Sequence, residues 1–372
     1  VLNNLRVLLV QRPNALEHYG GDTKLVLDTF AALKECGVSG DLVESDRPDA
    51  RGYDVAHIFN VGQPDVCKRQ MDACEEAGVA IALSPVWLDL REYFGRGYLY
   101  ERIFLNARTT PEVLGKLGKL KRRGGQRDLD SLINRRERKE LERRHQEQSA
   151  LLHRANVLVP NSAIEARDCL VQLGVREKPL IVVPVAANLE PERYWQRERS
   201  GLMAIGRVET RKNQSGLLFA LRDESFPIDI VGAIHHDDLV KVCLKWCPRA
   251  QFHGRLAREP MLEMLGRCEV HALVSWCETA GIATLEAAAA GAKIVVADRG
   301  AEVEYYGDDA EYADPADPES IRAAVLRAFA RPPRYHGDSL DQRIRRHTWR
   351  HAALETIRAY QIALGRPIGE SC

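Results

Sequence analysis

The sequence predicts an α/β protein made of two doubly wound lobes, each with a parallel sheet. Three observations carry that reading. The chain has 372 residues, more than one hydrophobic core of ordinary size organises, so two domains are expected. Short apolar runs alternate with helical stretches throughout, the order that a helix-covered parallel sheet requires. Helical stretches end on a glycine shortly before the next apolar run, as at Gly37 and Gly291, where a left-handed cap strains glycine least.

The elements follow in order. Residues 5–10 read as the first strand, with a loop through Pro13 to Gly20-Gly21-Asp22-Thr23 and a helix over 24–36. In that loop the glycines permit close backbone approach to a ligand and Thr23 suits a helix cap; a plain helix-entry turn explains the same residues. Further strands are predicted at 54–59, 79–83, 156–159 and 180–185, before a linker around 190–200. The second half repeats the pattern, with strands at 202–205, 228–231, 250–252, 270–275 and 293–297. A last helix is predicted near 346–364. The expected division is a first lobe over 1–190 with a basic helical insertion at about 106–150, a second lobe over 200–345, and a closing helical segment over 346–372.

Glu278 and Glu286 form the most informative pair. The run from Val270 to Ser275 reads as a buried strand, and 282–290 as an alanine-rich helix stopped by Gly291. Glu278 then lies in the strand-to-helix loop and Glu286 further along the helix, about one turn in. The amides of 280–283 lie between them at a helix N-terminus, where unpaired N–H groups and the helix dipole favour a phosphate or a hydroxyl-rich ligand. A second strand end carries Gly206-Arg207-Val208-Glu209-Thr210-Arg211-Lys212. Cations at the carboxyl end of a parallel strand suit a diphosphate, Arg as a fork and Lys as a point charge.

Together these residues resemble the retaining glycosyltransferases of the GT-B family numbered 4. That family has a Glu-x7-Glu motif, matched by Glu278 and Glu286, and a Gly-Arg…Lys diphosphate clamp, matched by Gly206, Arg207 and Lys212. The resemblance continues through Phe252-His253-Gly254-Arg255-Leu256, where the family grips the nucleotide base. It also takes in Asp298-Arg299-Gly300-Ala301-Glu302-Val303 and Ala313-Asp314-Pro315 at the end of the nucleotide domain. It covers 200–330 strongly and the first half weakly. It implies two Rossmann-like lobes facing across a cleft, with the C-terminal helix crossing back to the first. The donor implied is a nucleoside-diphosphate sugar. Arg207, Lys212 and Glu278 would act on the reacting centre; Gly20, Gly21, Arg255, Leu256, Gly281, Ile282, Ala283 and Glu286 would bind the donor.

One departure stands out. Many members of that family have a histidine after the strand equivalent to 79–83, and here the loop reads Ser84-Pro85-Val86-Trp87-Leu88-Asp89. Trp87 and Asp89 are therefore candidates for sugar or acceptor contacts, as is His57 at an earlier strand end. A histidine on an apolar strand also fits a satisfied core residue. His235-His236-Asp237-Asp238 looks like a metal cluster, but its place after a strand marks a helix entrance, where aspartates suit the dipole. Adjacent helical residues point in different directions, so no metal site is expected there.

Composition narrows the function classes. Lys and Arg total 53 and Asp and Glu total 53, a balance that argues against nucleic acid as partner. No apolar run approaches the roughly 20 residues of a membrane span and no signal-peptide pattern appears. The chain opens on Val1 rather than Met, as expected of a trimmed chain or a piece of a longer one. Nine scattered cysteines, an odd number without Cys-x2-Cys pairs, read as reduced thiols in a cytoplasmic protein. The span from Lys116 to Arg144 holds twelve Lys or Arg against five Asp or Glu. A solvated, salt-bridged helical insertion explains it; so does peripheral contact with an anionic membrane or a lipid-linked diphosphate acceptor.

The function implied is retaining transfer from a nucleoside-diphosphate sugar to a glycan or lipid-linked acceptor in cell-surface polysaccharide synthesis, without cofactor or metal. Two alternatives share the nucleotide site: a sugar-nucleotide 2-epimerase of the GT-B type, and a non-catalytic binding subunit.

Overall fold

A computed structural model describes residues 5–123, 133–189, 193–195 and 198–366. The chain divides into two compact units, one formed by 1–88, 142–188 and 347–372, the other by 89–141 and 189–346.

The first unit is built on a five-stranded parallel sheet in the order β2-β1-β3-β4-β5, with β1 Arg6–Gln11, β2 Ser39–Glu44, β3 Val55–Phe59, β4 Ala80–Ser84 and β5 Val157–Leu158. β3 is buried along its whole length, as befits a strand covered on both faces. Leu8, Val10, Ile58, Leu83, Leu151 and Leu158 form the core between strands and helices. β2 is not among the strands predicted above. Its sequence, Ser-Gly-Asp-Leu-Val-Glu, is polar because it lies at the sheet edge, where residues stay partly solvated.

The predicted strand at 180–185 is a correction. Only Leu180 bridges Leu158; Ile181 and Val183 donate singly to the carbonyls of Leu158 and Pro160, and Pro184 has no N–H to extend a ladder. The last helix, Trp349–Ala363, packs beside helix Gly21–Glu35 in the first unit, so the chain does return there after completing the second.

The second unit has a six-stranded parallel sheet in the order β11-β10-β9-β6-β7-β8. Its strands are β6 Ser200–Ile205, β7 Ile228–Val231, β8 Gln251–Gly254, β9 Cys268–Leu273, β10 Lys293–Ala297 and β11 Glu311–Ala313. Leu202, Leu218, Ile230, Val270, Val295 and Val325 belong to its core.

The domain boundaries also need correction, because 89–141 groups with the second unit rather than the first. The cause is an apolar cluster in which Tyr100, Phe104, Val113 and Leu117 pack on Phe219, Val242, Trp246 and Trp276. Tyr100 and Phe104 are on helix Tyr98–Asn106, and Val113 and Leu117 on helix Thr110–Arg123. Aromatic burial of this extent outweighs closeness in sequence.

Helix Arg135–Arg154 groups with the first unit from Glu142 onward. There Gln148 donates to the Val61 carbonyl, and Arg154 pairs with Asp72 at 2.7 Å and Glu75 at 2.8 Å. Lys116–Glu112 and Arg143–Glu147 are four-residue helical ion pairs. Gly124, Gly125 and Arg127 of the basic segment lie outside the described residues. Among the described residues no helix is long and apolar enough to cross a membrane.

Candidate functional site

The cation clamp and the glutamate loop meet within the second unit. After β6 the chain leaves through Gly206 and Arg207 into a 3₁₀ turn over Thr210–Lys212. Asn213 then adopts a left-handed conformation, φ 57°, a backbone state open to Asn at modest cost. Its buried amide nitrogen donates to the carbonyls of Val274 and Pro315, at 3.2 and 3.0 Å. Those bonds pin the turn to the end of β9.

Lys212 Nζ consequently contacts Glu278, both side chains being almost buried. Arg211 lies beside them, donating to the Cys277 carbonyl at 3.2 Å and to Glu209 at 2.7 Å, while its own carbonyl accepts from the Trp276 amide. Burial alone would raise the Glu278 pKa, but Lys212 and Arg211 outweigh it and hold the carboxyl below its usual range. Arg207 is more exposed and 3.6 Å from Glu209.

Helix Ile282–Ala289 starts at Gly281, whose φ of 56° is left-handed. A β-carbon there would also meet Thr284 Oγ1 at 3.4 Å and Glu278 Cγ at 3.7 Å, so glycine at this position has a conformational reason. Thr284 is the first of the helix amides bonded back to Gly281; those of Ile282 and Ala283 precede it at the positive end of the helix. Glu286, one turn in, is buried and accepts from Arg258 Nη1 at 3.0 Å. Arg258 opens the helix that follows β8, and Arg255 and Leu256 form the turn between them. Five predicted site residues, Lys212, Glu278, Gly281, Ile282 and Ala283, are thus brought together, with Glu286 joined to the turn after β8 through Arg258.

Several residues here escaped sequence reasoning. Trp276, two positions before Glu278, stacks edge-on with Tyr100 at 5.0 Å, and the Tyr100 hydroxyl donates to the Ala316 carbonyl at 2.7 Å. Arg299 reaches Glu92 at 2.6 Å, and Thr210 bonds Glu101. Helical residues from the first half of the chain thereby brace both loops of the site. The aromatic spacing in 93–104 was the signal available, but nothing local named its partner.

The remaining candidates lie in the first unit, apart from Asp89. Gly20 and Gly21 begin helix Gly21–Glu35, with Thr23 Oγ1 accepting from the Gly20 amide and donating to the Ala15 carbonyl. His57 is corrected to a core histidine. It is 1% exposed, its ring nitrogens lie 2.9 Å from the hydroxyls of Tyr360 and Ser84, and burial lowers its pKa to about 3. Trp87 is buried too, its amide on Glu165 and its indole N–H on Gln148, which leaves no face for a sugar. Asp89 is half exposed and paired with Arg91. Asp237 and Asp238 occupy the first turn of helix Asp237–Trp246, as a helix entrance requires, and Asp238 pairs with Lys241.

Residues 199–331 match the family model described as glycosyl transferases group 1. No curated protein matches the chain. Among solved structures, sucrose-phosphate synthase from Thermosynechococcus elongatus superposes with a TM-score of 0.70 at 14% identity, over 96% of this chain and 98% of the other. An α,α-trehalose-phosphate synthase (UDP-forming) from Burkholderia xenovorans, in complex with glucose-6-phosphate, gives 0.62 at 10% identity, over 96% and 100%. The Anabaena protein HepE, in complex with UDP and glucose, gives 0.59 at 14% identity, over 96% of each chain. At such identities the likeness is one of fold. Residues 199–331, which hold both glutamates and the cation clamp, are therefore similar to the group 1 glycosyl transferases, within a chain whose two parallel sheets have the GT-B fold.

Proposed function

We propose that this protein transfers a sugar from a nucleoside-diphosphate sugar to a glycan or lipid-linked acceptor with retention at the anomeric carbon. The observation that carries the reading is the contact of Lys212 with Glu278 beside the N-terminus of helix Ile282–Ala289. A cation, a carboxylate and open helix amides at one spot suit a diphosphate and a hydroxylated ring together. That one structural neighbour holds UDP and glucose and another is a UDP-forming synthase accords with such a donor.

In this reading Arg207 and Lys212 hold the diphosphate, with the amides of Ile282 and Ala283. Glu286 binds ribose hydroxyls, exchanging its Arg258 contact for them, and the base rests near Arg255 and Leu256. Negative charge grows on the diphosphate as the glycosidic bond breaks, and fixed cations stabilise it more than they stabilise the bound ground state. Glu278 orients the sugar through its hydroxyls. The acceptor attacks from the face of departure and a phosphate oxygen takes its proton, so no covalent sugar–enzyme intermediate is needed. The clamp supplies the positive charge that a divalent ion brings elsewhere, and transfer needs neither metal nor cofactor. Cytoplasmic synthesis of cell-surface polysaccharide, with peripheral contact to anionic lipid through the basic segment, fits a lipid-linked acceptor.

Incubation with UDP-, GDP- and dTDP-sugars, following nucleotide release, tests the reading. Acceptor-dependent release supports transfer. Conversion of the nucleotide sugar without release identifies a 2-epimerase, and neither outcome with any donor identifies a binding subunit.

A further inference from the structure

Glu302 has no role in the scheme above, yet its setting is unusual for a carboxyl group. It is 1% exposed, and neither carboxyl oxygen has a hydrogen-bond partner among the described residues. Its side chain folds back over Gly300 toward the loop of the site. A β-carbon on Gly300 would lie 3.0 Å from a Glu302 carboxyl oxygen and 2.5 Å from the Glu278 carbonyl. One turn along the same short helix, Glu302–Tyr306, the buried Tyr306 hydroxyl also lacks a partner.

An ionised carboxylate in such a place would be a buried charge without donors, which proteins avoid by neutralising the group. We propose that Glu302 is a positioning residue of the donor site that stays protonated in the folded protein, so that Lys212 serves only Glu278 and the donor diphosphate. This rests on the donor site proposed above.

The surroundings agree from every side. Burial pushes the Glu302 carboxyl well above the ordinary range and the nearby Glu278 charge adds to the rise; its own amide and Lys212 oppose it without cancelling it. Tyr306 and Tyr312 feel the Glu302 charge, and burial raises both, leaving them neutral at physiological pH. Arg343, which acts on Tyr312, is held by Asp309 at 3.1 Å. Were Glu302 to ionise, two buried carboxylates would compete for one lysine, and the anion would oppose charge growing on the leaving diphosphate.

The test uses the whole protein. Infrared difference spectra of the ligand-free wild type should show a protonated-carboxyl band at pH 7 that Glu302→Gln removes and Glu165→Gln, at the other raised glutamate, does not. Donor affinity from thermal shift should fall about tenfold per pH unit once Glu302 titrates. Glu302→Gln should bind donor within about twofold of wild type at pH 7 and lose that alkaline fall. A purely structural role would leave the pH profile of the variant unchanged. If Glu302→Gln does not fold, Lys212→Met serves in its place, since removing that cation should shift the Glu302 band upward in pH and leave the Glu165 band alone. Absence of the band, or an alkaline limb retained in Glu302→Gln, overturns the inference. The spectrum needs no donor, so a band in a protein that binds no sugar nucleotide would instead overturn the proposed function.

Discussion

Replacing Lys212 with alanine should damage both stability and turnover, and the two losses can be separated. Lys212 and Glu278 keep only 12% and 10% of their side-chain surface exposed. Removing the lysine leaves Glu278 buried with Arg211 as its remaining cation. Breaking a buried pair from one side costs about 3–5 kcal/mol; with Arg211 still present, about 3 kcal/mol is the reasonable figure. In a unit of roughly 200 residues that lowers Tm by about 10 °C. Glu278→Gln removes the stranded charge, so the double variant Lys212→Ala/Glu278→Gln should recover much of the stability. Turnover should not recover, because losing one preorganised contact to developing charge costs on the order of 10²–10³ in rate. Denaturant unfolding of the four proteins of the cycle, with single-turnover kinetics on each, reads both quantities. A Lys212→Ala protein with wild-type stability and wild-type turnover would refute the pairing and the clamp together.

Other expectations follow from the same geometry. Glu286→Ala should mainly weaken nucleotide binding and Glu278→Ala mainly lower kcat, since a ribose contact serves ground and transition states alike; the same kinetic pattern in both would remove the division of roles. Exhaustive chelation should leave turnover unchanged, and activity abolished by EDTA but restored by magnesium or manganese would contradict this. Glu165 accepts from the amides of Trp87 and Asn161, yet burial pushes its carboxyl up to about 7. Folding therefore takes up a proton between about pH 4.5 and 7, and Glu165 should lower stability by about 3 kcal/mol as pH rises through that window and add no slope above it. Urea midpoints of wild type and Glu165→Gln across pH 4–8 check the sign, and parallel curves would refute it. If the basic segment docks on lipid, replacing Lys121, Arg122, Arg123 and Arg127 with Gln should reduce salt-sensitive binding to acidic liposomes and spare donor affinity. Equal binding to neutral liposomes would leave it a solvated insertion.

Much of this molecule is legible before any coordinate, because it depends on neighbours within a few residues. Strand and helix alternation, the glycine stops at Gly37 and Gly291, and the helix beginning at Ile282 each follow from backbone preference and apolar period. Glu278 and Glu286 share a loop and helix, so their placement is local too. β2 escaped because its partly solvated edge residues carry no apolar signature, and 180–185 misled because an apolar run resembles a strand although Pro184 in it and Pro160 opposite it lack the N–H groups that would continue a ladder.

What the tertiary structure alone decided are the contacts between residues far apart in sequence. Lys212 and Glu278 are 66 positions apart, and Tyr100 and Ala316 are 216 apart. No local preference distinguishes Lys212 from Arg207 or Arg211 as the partner of Glu278; the Asn213 bonds to Val274 and Pro315 do. Nor does sequence show that Tyr100 and Phe104 bury against Phe219 and Trp276, drawing 89–141 into the second unit. The same holds for His57, whose hydroxyl partners come from another strand and from the last helix, and for Glu302, left without a donor. Propensity and turn chemistry act over one or two turns of chain, whereas desolvation and charge pairing depend on what the folded chain brings within a few ångströms.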